Sequence, residues 1–471
     1  MIEKPTRVRY VVLAFACVLS MITYMDRVCF GAVAPQLASE LSLESVADLK
    51  WAFTAFSLAY AIFEIPSGWL GDLWGPKKTL FRIVLWWSAC TALTGIVGWT
   101  IGTYMVAGLG TLVVLRFLFG AGEAGAYPNI TRLLYNWFPS DQAGTAQSFV
   151  FMSGRVMGGL TPIIWTVLVL GTAWTPALVT WRVAFALFGL MGVLWCAVFA
   201  IYFCNVPGEH PGVNQTERDL IERGRPPESE GSSHSLPARA FLRSGNLWLL
   251  CGMYFCMVYG WAFHITYLPA YLQERFHVDP QSVIGSLYKG GPLWIGAIGC
   301  LIGGFLVDGM IRRSGNRRRS RRVVGVLAES LCAVAWIGAI FAPNVHLFFV
   351  AISFAAFCND LTLGSAWATC QDIGQRHSAM TAACMNTVGT LGAAVAGWAT
   401  GTIVEQTIAW RQASSMNVAE ALSDIDKRDA LLAGFDYAFV SYAAIYAVSA
   451  ICWRFIDASK PIVDIRSISH S

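Results

Sequence analysis

The chain has 471 residues, of which 56% are hydrophobic and only 13% are charged, and its formal net charge is +4. Soluble proteins carry roughly 25% charged residues, so this composition excludes water as the solvent for most of the surface. The small net charge gives no reason to expect a nucleic acid or another polyanion as partner. The 13 cysteines stand singly and show no spacing typical of a metal site or a disulfide framework. We therefore expect an integral membrane protein without a bound metal or cofactor.

Twelve apolar stretches are long enough to cross a bilayer core, which takes roughly 20 residues per helix. They lie at 10–35, 51–71, 79–100, 104–126, 145–170, 182–204, 247–273, 284–308, 323–342, 346–371, 379–404 and 436–457. A polar segment at 205–245, rich in Pro, Gly and Ser, separates the first six from the last six. The sequence thus predicts an all-α membrane protein of twelve transmembrane helices in two pseudo-symmetric six-helix bundles, 1–204 and 246–471, joined by a cytoplasmic linker at 205–245.

Lys and Arg are distributed unequally between the two sides of the predicted membrane. With the N-terminus inside, 23 of the 33 basic residues lie on the cytoplasmic side and 7 on the outer side. Because basic loops stay in the cytoplasm, both termini are predicted to be cytoplasmic, in the inner or plasma membrane. The arginine-rich segment 312–322 is predicted to be a solvated anchor, with contact to anionic lipid as the weaker alternative. The external segment 405–435 receives no predicted role.

The two halves repeat a motif in the loop after their second span. The first copy, GWLGDLWGPKK, contains Gly68, Asp72, Gly75, Lys77 and Lys78, and the second, GGFLVDGMIRR, contains Gly304, Asp308, Arg312 and Arg313. The first copy resembles the loop signature of the major facilitator superfamily, and the twelve-helix plan agrees with that fold. The resemblance implies that this gating motif holds the cytoplasmic side closed in the outward-facing state.

Acid–base pairs lie inside the first and fourth predicted spans, where one ionisable residue costs roughly 2.5–3.5 kcal/mol. Asp26 and Arg27 are adjacent, while Arg116 and Glu123 are seven residues apart and share one helix face. One interpretation is a structural ion network that pairs Asp26 with Arg27 or Arg116, and Glu123 with Arg155. The other is a proton-coupled carboxylate site. A guanidinium group binds a carboxylate bidentately and stays charged, while a buried carboxyl group can exchange a proton.

The fourth-span sequence RFLFGAGEAGAYPN and the Asp26-Arg27 pair resemble one branch of the superfamily, the anion:cation symporters that carry sugar acids such as galactonate, hexuronates and glucarate. The resemblance implies that Arg27 and Arg116 bind the substrate carboxylate and that Asp26 and Glu123 are the protonation sites. It also implies further substrate contacts from Tyr24, Tyr60, Asn386, Ser365 and Trp367. Members of this branch are expected to be monomers.

Two charged residues depart from the family pattern, Arg155 in the fifth span and Asp360 in the tenth. We predict that they form a charge pair. As an alternative, Arg155 contacts a second carboxylate of the substrate. Asp360 is also a candidate ligand for a sodium ion, so the choice between proton and sodium coupling stays open.

The function predicted from these patterns is secondary active transport. A sugar acid (hexuronate, aldonate or aldarate) is imported with protons by alternating access, and the partners are this substrate, protons and membrane lipid. The alternatives are an organophosphate/inorganic phosphate antiporter of the same fold and a sodium-coupled organic-anion carrier. The sequence contains no nucleophile elbow, His-Glu metal motif, P-loop or dinucleotide fingerprint at a suitable position, so an enzyme is not predicted.

Overall fold

The structure, a computed structural model, describes residues 3–43, 46–101, 104–105, 107–171, 176–223, 238–278, 283–414 and 424–463. Its helices are α1 (Val8–Glu40), α2 (Lys50–Trp74), α3 (Pro76–Thr94), α4 (Leu109–Glu123), α5 (Ala126–Trp137), α6 (Ala143–Trp165), α7 (Trp181–Tyr202), α8 (Gln215–Glu222), α9 (Ala238–Arg243), α10 (Gly245–Thr266), α11 (Leu268–Phe276), α12 (Val283–Ser314), α13 (Arg317–Ile340), α14 (Val345–Gly374), α15 (Ser378–Ser414) and α16 (Asp424–Phe455). Two short antiparallel strands, β1 (Thr100–Ile101) and β2 (Tyr104–Met105), form a small hairpin.

The predicted all-α membrane fold is confirmed. Nine helical segments of the described chain are long and apolar enough to cross a membrane, and the longest, Val345–Ser414, contains both α14 and α15. Helices α2 and α3 occupy two further predicted spans. Large apolar side chains are exposed on these helices, including Ile201 (87% exposed) and Trp398 (71% exposed). Exposing such apolar surfaces to water costs free energy, whereas contact with lipid tails does not, so these surfaces are stable in a membrane.

Several helices differ from the predicted spans. The fourth predicted span, 104–126, contains α4, which starts later, at Leu109, and ends at Glu123. The chain then breaks at Gly125, whose φ of +85° is a left-handed conformation that glycine adopts without strain, and continues as α5 from Ala126. The segment 405–435, predicted to be external, contains more helix than expected, because α15 continues to Ser414 and α16 begins at Asp424. Helices of transporters commonly continue beyond the bilayer, where hydropathy no longer marks them. Residues 224–237 of the predicted linker and 415–423 of the segment between α15 and α16 lie outside the described residues.

The described residues form two compact units. The first contains the described parts of Met1–Ala240 and Val463–Ser471 together with Trp367–Cys384. Its core joins α1 to α7, with Phe30, Trp165 and Phe185 among the buried side chains. The second unit contains the described parts of Phe241–Ala366 and Met385–Ile462. Its core is aromatic, with Phe263, Trp336 and Tyr442 in mutual contact. The predicted division at 204 and 246 stays a prediction.

Close packing of α1 against α6 depends on Gly154. A Cβ atom at this position would lie 2.6 Å from the ring of Tyr24 and 2.6 Å from Ser20 Oγ. We expect Gly154→Ala to lower the free energy of unfolding by roughly 1–3 kcal/mol, because the tyrosine ring has to move out of its packed position. Thermal unfolding of the purified protein in detergent measures this. The control is Gly31→Ala on α1, where the added Cβ meets nothing within 4 Å. An equal loss in both variants would contradict this account.

The chain just beyond α16 is held by Asp457. Its Oδ1 accepts from Ser459 N at 3.1 Å, and its Oδ2 lies 3.2 Å from Arg318 Nη1. Burial by itself would raise the pKa of Asp457, but the hydrogen bonds from Ser459 and the charges of Arg318 and Arg322 outweigh it and hold the pKa below its usual range. The ionised form is therefore the one that stabilises the folded protein.

A pH dependence of stability follows from this lowered pKa. A carboxyl group whose folded-state pKa is lowered contributes stability above its unfolded pKa and loses it as the pH falls through the folded value. We expect Asp457→Asn to cost roughly 1 kcal/mol at pH 7. This deficit should shrink towards zero below about pH 4, the ordinary aspartate value. Thermal unfolding at pH 7 and pH 3 measures it, with the exposed Asp219→Asn as control. A deficit that does not change with pH would contradict the assignment.

Candidate functional site

A buried ion pair joins α1 and α4 within the first unit. Arg27 Nε donates to Glu123 Oε1 at 2.8 Å, the Glu123 side chain is fully buried, and the Arg27 side chain is 32% exposed. Glu123 is the last residue of α4, directly before the break at Gly125. The other oxygen of Glu123 and Nη2 of Arg27 have no hydrogen-bond partner among the described residues. The pair therefore retains unused donor and acceptor positions inside the bundle.

The structure differs from the network that would pair Glu123 with Arg155. Neighbouring residues on a helix point about 100° apart, so Asp26 and Arg27 cannot face the same partner. Arg27 turns to Glu123, while the buried Asp26 faces α3, where Thr91 Oγ1 donates to its Oδ2 at 3.5 Å. The other Asp26 oxygen accepts no hydrogen bond from the part of the chain that the structure describes. The site thus contains two buried carboxyl groups with different surroundings.

Aromatic rings hold both arginines. The Arg116 guanidinium lies 4.0 Å from the ring centre of Phe30 and 4.7 Å from those of Phe56 and Phe119. The Arg27 guanidinium lies 4.9 Å from the ring centre of Tyr60. Ring faces attract a cation without neutralising it. Among the described residues Arg116 forms no ion pair within 4.0 Å and its Nε has no hydrogen-bond partner, so it keeps its charge for another anion.

The tyrosines predicted to contact substrate occupy two different settings. Tyr60 is buried beneath the Arg27 guanidinium. Tyr24 is half-buried and lies against the glycine face of α6, with Gly154 and Gly158 directly beneath its ring. The sequence singled out both residues, and only Tyr60 is in contact with the ion pair. A substrate-binding role for either tyrosine stays a prediction.

A third tyrosine was missed. Tyr127, near the start of α5, shares a hydrogen bond of 2.9 Å with Ser20 and stacks on Phe151 with 5.1 Å between ring centres. Trp367, predicted to contact substrate, is buried against both rings, at 6.0 Å from Tyr127 and 5.0 Å from Phe151. Two signals could have marked it in the sequence: its place within the fourth-span motif and its spacing of four residues from Glu123. Its aromatic partners come from distant helices.

The remaining candidates belong to the second unit or are divided between units. Ser365 is buried, its carbonyl accepts from Arg321 Nη1 at 3.3 Å, and Asn386 is half-buried on α15. Arg155 is a buried residue of the first unit, whereas Asp360 belongs to the second. Substrate contact from Ser365 and Asn386, and the charge pair of Arg155 with Asp360, stay predictions.

The second unit contains a buried acid that sequence analysis did not single out. Glu329 on α13 is fully buried, and Thr362 Oγ1 donates to its Oε1 at 2.8 Å. Close by, Asn359 Nδ2 donates to Asp360 Oδ1 at 2.9 Å, and Asn359 Oδ1 accepts from the Tyr446 hydroxyl at 2.9 Å. Glu329 was not singled out in the sequence because it is a single acid that follows the many basic residues at the start of α13.

The gating motif caps the start of α15 within the first unit. Asp72 Oδ1 accepts from Ala379 N at 3.1 Å and Asp72 Oδ2 accepts from Met380 N at 2.8 Å. These are amide groups of the first helical turn, which have no partner within the helix. Arg132 Nε lies 3.8 Å from the same carboxylate. At Gly68, a Cβ would come within 2.8 Å of the Ala379 carbonyl, so only glycine permits this approach.

The rest of the motif forms the turn into α3. Gly75 has a φ of +81°, and Lys77 N donates to Asn205 Oδ1 at 2.9 Å. Lys77 is half-buried and Lys78 is exposed. The motif therefore fixes a tight turn, and its acid rather than its two lysines makes the contact with α15.

The fold and this site together define a class of protein. Residues 16–397 match the Major Facilitator Superfamily, and the chain belongs to that superfamily of secondary transporters. It is a multi-pass membrane protein and not an enzyme.

The names of similar proteins agree with the branch of the superfamily that the sequence motifs resemble. A probable sulfoacetate transporter of Cupriavidus necator is 31% identical over 82% of this chain and 85% of its own length. A probable galactarate/D-glucarate transporter of Escherichia coli is 28% identical over 86% and 89%. The predicted resemblance to sugar-acid transporters is thereby confirmed. Among solved structures, the proton:xylose symporter XylE matches with a TM-score of 0.68 over 98% of each chain, at 13% identity, which supports the fold alone.

Proposed function

We propose that this transporter carries a small organic anion, a sugar acid such as a hexuronate, aldonate or aldarate, into the cell together with protons. The observation that carries the proposal is the buried Arg27–Glu123 ion pair, which lies beside an arginine that has no described ion-pair partner. Guanidinium groups are suited to bind carboxylates because their paired donors match the two carboxylate oxygens.

Proton coupling follows from competition for one guanidinium group. Arg27 stabilises the ionised form of Glu123, which is fully buried. A substrate carboxylate that binds Arg27 removes this partner, and an unpaired charge in the bundle interior is costly. Glu123 therefore takes up a proton when the substrate binds, and binding of the anion and of the proton favour each other. This is the thermodynamic requirement for symport.

Arg116 and Asp26 supply a second pair of groups. With both acids ionised, the site carries two positive and two negative charges. With both acids protonated, it carries two uncompensated positive charges, which attract an anion. The relatives named as transporters of sulfoacetate and of galactarate and glucarate carry substrates with at least one carboxylate, and this supports the same substrate class here.

We further propose that the Asp72 cap on α15 is made and broken during the transport cycle, as the resemblance of the motif implies. The arginine-rich segment 312–322 supports a cytoplasmic location for its side of the protein, and therefore for both termini. The transporter is proposed to act as a monomer.

Uptake by proteoliposomes tests the proposal. The purified protein is offered labelled galactonate, glucuronate, galacturonate, glucarate, tartrate and sulfoacetate, each with an inward proton gradient, with an inward sodium gradient, or with neither. We expect accumulation of one or more of the sugar acids driven by the proton gradient and abolished by an uncoupler. Accumulation driven only by sodium, or exchange of a sugar phosphate for phosphate, would contradict the proposal and favour the alternatives. Uptake of sulfoacetate alone would keep the mechanism and change the substrate.

A further inference from the structure

We propose that the start of α13 and the end of α16 form a binding site for an anionic phospholipid. A cavity of about 560 Å³ lies here, outside the substrate site and within the second unit. Its wall combines four arginines, Arg318, Arg319, Arg322 and Arg454, with the aliphatic side chains of α13. A guanidinium cluster beside an apolar wall matches a lipid phosphate joined to acyl chains.

Two of the four arginines are held in place by the protein. Arg322 Nε donates to the Ile456 carbonyl at 2.6 Å, and its Nη2 donates to the Phe455 carbonyl at 2.9 Å. Arg318 is paired with Asp457 at 3.2 Å. Their positions are fixed before a ligand arrives, so little side-chain entropy is lost on binding.

The other two arginines are available to bind an anionic headgroup. Arg319 and Arg454 are exposed, and their side chains form no ion pair with any residue that the structure describes. Arg318 is the arginine that Asp457 neutralises, so three positive charges of the cavity remain uncompensated. Like charges gathered in one cavity repel one another, and an anion placed among them relieves that repulsion.

The apolar wall decides between a lipid and a free anion. Arg319, Val323 and Leu327 follow one another at intervals of four residues, so they form a single stripe along α13. Val323 is 38% exposed and Leu327 is 59% exposed, and both lie further into the apolar part of the helix than the arginine. A phosphate group at Arg319 thus places an acyl chain along this stripe. A free phosphate ion would leave it uncovered.

The test measures lipid binding to the full-length protein in detergent. Phosphatidylglycerol and phosphatidylcholine with the same acyl chains are titrated in, and bound lipid is counted by native mass spectrometry. We expect the wild type to retain phosphatidylglycerol after phosphatidylcholine is lost. The double variant Arg319→Gln/Arg454→Gln should bind phosphatidylglycerol roughly thirtyfold more weakly, as expected for the loss of two basic residues near an anionic headgroup.

The control is Arg313→Gln, an exposed arginine of the same basic segment that does not line the cavity. It should retain wild-type binding. If the double variant does not fold, the single variant Arg319→Gln replaces it. We expect this variant to bind phosphatidylglycerol roughly fivefold more weakly than the wild type. Three results would each overturn the proposal. The first is an equal loss of binding in Arg313→Gln and in the double variant, and the second is equal retention of both lipids by the wild type. The third is displacement of the lipid by inorganic phosphate at millimolar concentration.

Discussion

Glu123→Gln is expected to abolish proton-driven accumulation of the substrate while leaving exchange of labelled for unlabelled substrate within about threefold of wild type. Glutamine keeps the size of the side chain and an oxygen that accepts from Arg27, but it cannot exchange a proton. In the wild type the anion competes with ionised Glu123 for Arg27, so affinity for the anion falls as the pH rises. In the variant Arg27 has no charged competitor, and the affinity depends less steeply on pH over the same range, since only Asp26 remains to exchange a proton.

The measurements are uphill uptake, counterflow exchange and substrate affinity between pH 5 and pH 8, each in proteoliposomes. The matched control is Glu217→Gln. Glu217 is also fully buried and also paired with an arginine, at 2.8 Å from Arg9 Nη1, but it lies on α8, away from the site. We expect this control to keep its coupling and its pH dependence even if its stability falls. Retained uphill uptake in Glu123→Gln would contradict the assigned role.

Arg116→Gln is expected to weaken substrate binding roughly ten- to hundredfold, the range for a lost hydrogen bond to a charged group. The effect should appear in KM or Kd with a smaller change in kcat, because the guanidinium group binds the ground-state anion. Arg27→Lys is expected to give a loss of the same order. Lysine keeps the charge, but it loses the planar group that lies on the Tyr60 ring and the paired donors that match a carboxylate.

Arg182→Gln is the control for these two variants. Arg182 also forms an ion pair with a helix α1 acid, Glu40, but both side chains are about one-third exposed and lie apart from the site. It should bind the substrate as the wild type does. Affinity of Arg116→Gln within twofold of wild type would exclude this arginine from the site. An equal loss in Arg182→Gln would show that any lost positive charge has the same effect.

Much of the fold could be predicted because membrane spans have a strong signal in the sequence. Each span needs a long apolar run, and the segments between the runs are more polar. What hydropathy could not predict is where helices end outside the lipid, and so α15 extends ten residues past the predicted end at 404. The break at Gly125 had a local signal, since three glycines precede Tyr127 and Pro128 follows it.

The candidate site was only partly accessible from the sequence. Spacing placed Arg116 and Glu123 on one face, and the motif brought Asp26 and Arg27 to the same site. Which acid faces which arginine depends on the rotation of α1 relative to α4, and no spacing within one helix contains that information. The position of Trp367 against Tyr127 and Phe151 was equally hidden, because packing of aromatic rings from distant segments leaves no pattern in a single sequence.

The central claim is that anion binding and proton binding are coupled through Arg27 and Glu123. It is tested most directly by adding the substrate identified in the uptake panel to lightly buffered, detergent-purified protein, and measuring the protons taken up per anion bound. We predict net proton uptake by the wild type that is reduced by about one proton per anion in Glu123→Gln. Anion binding by the wild type without proton uptake, or the same proton uptake in both proteins, would contradict the account.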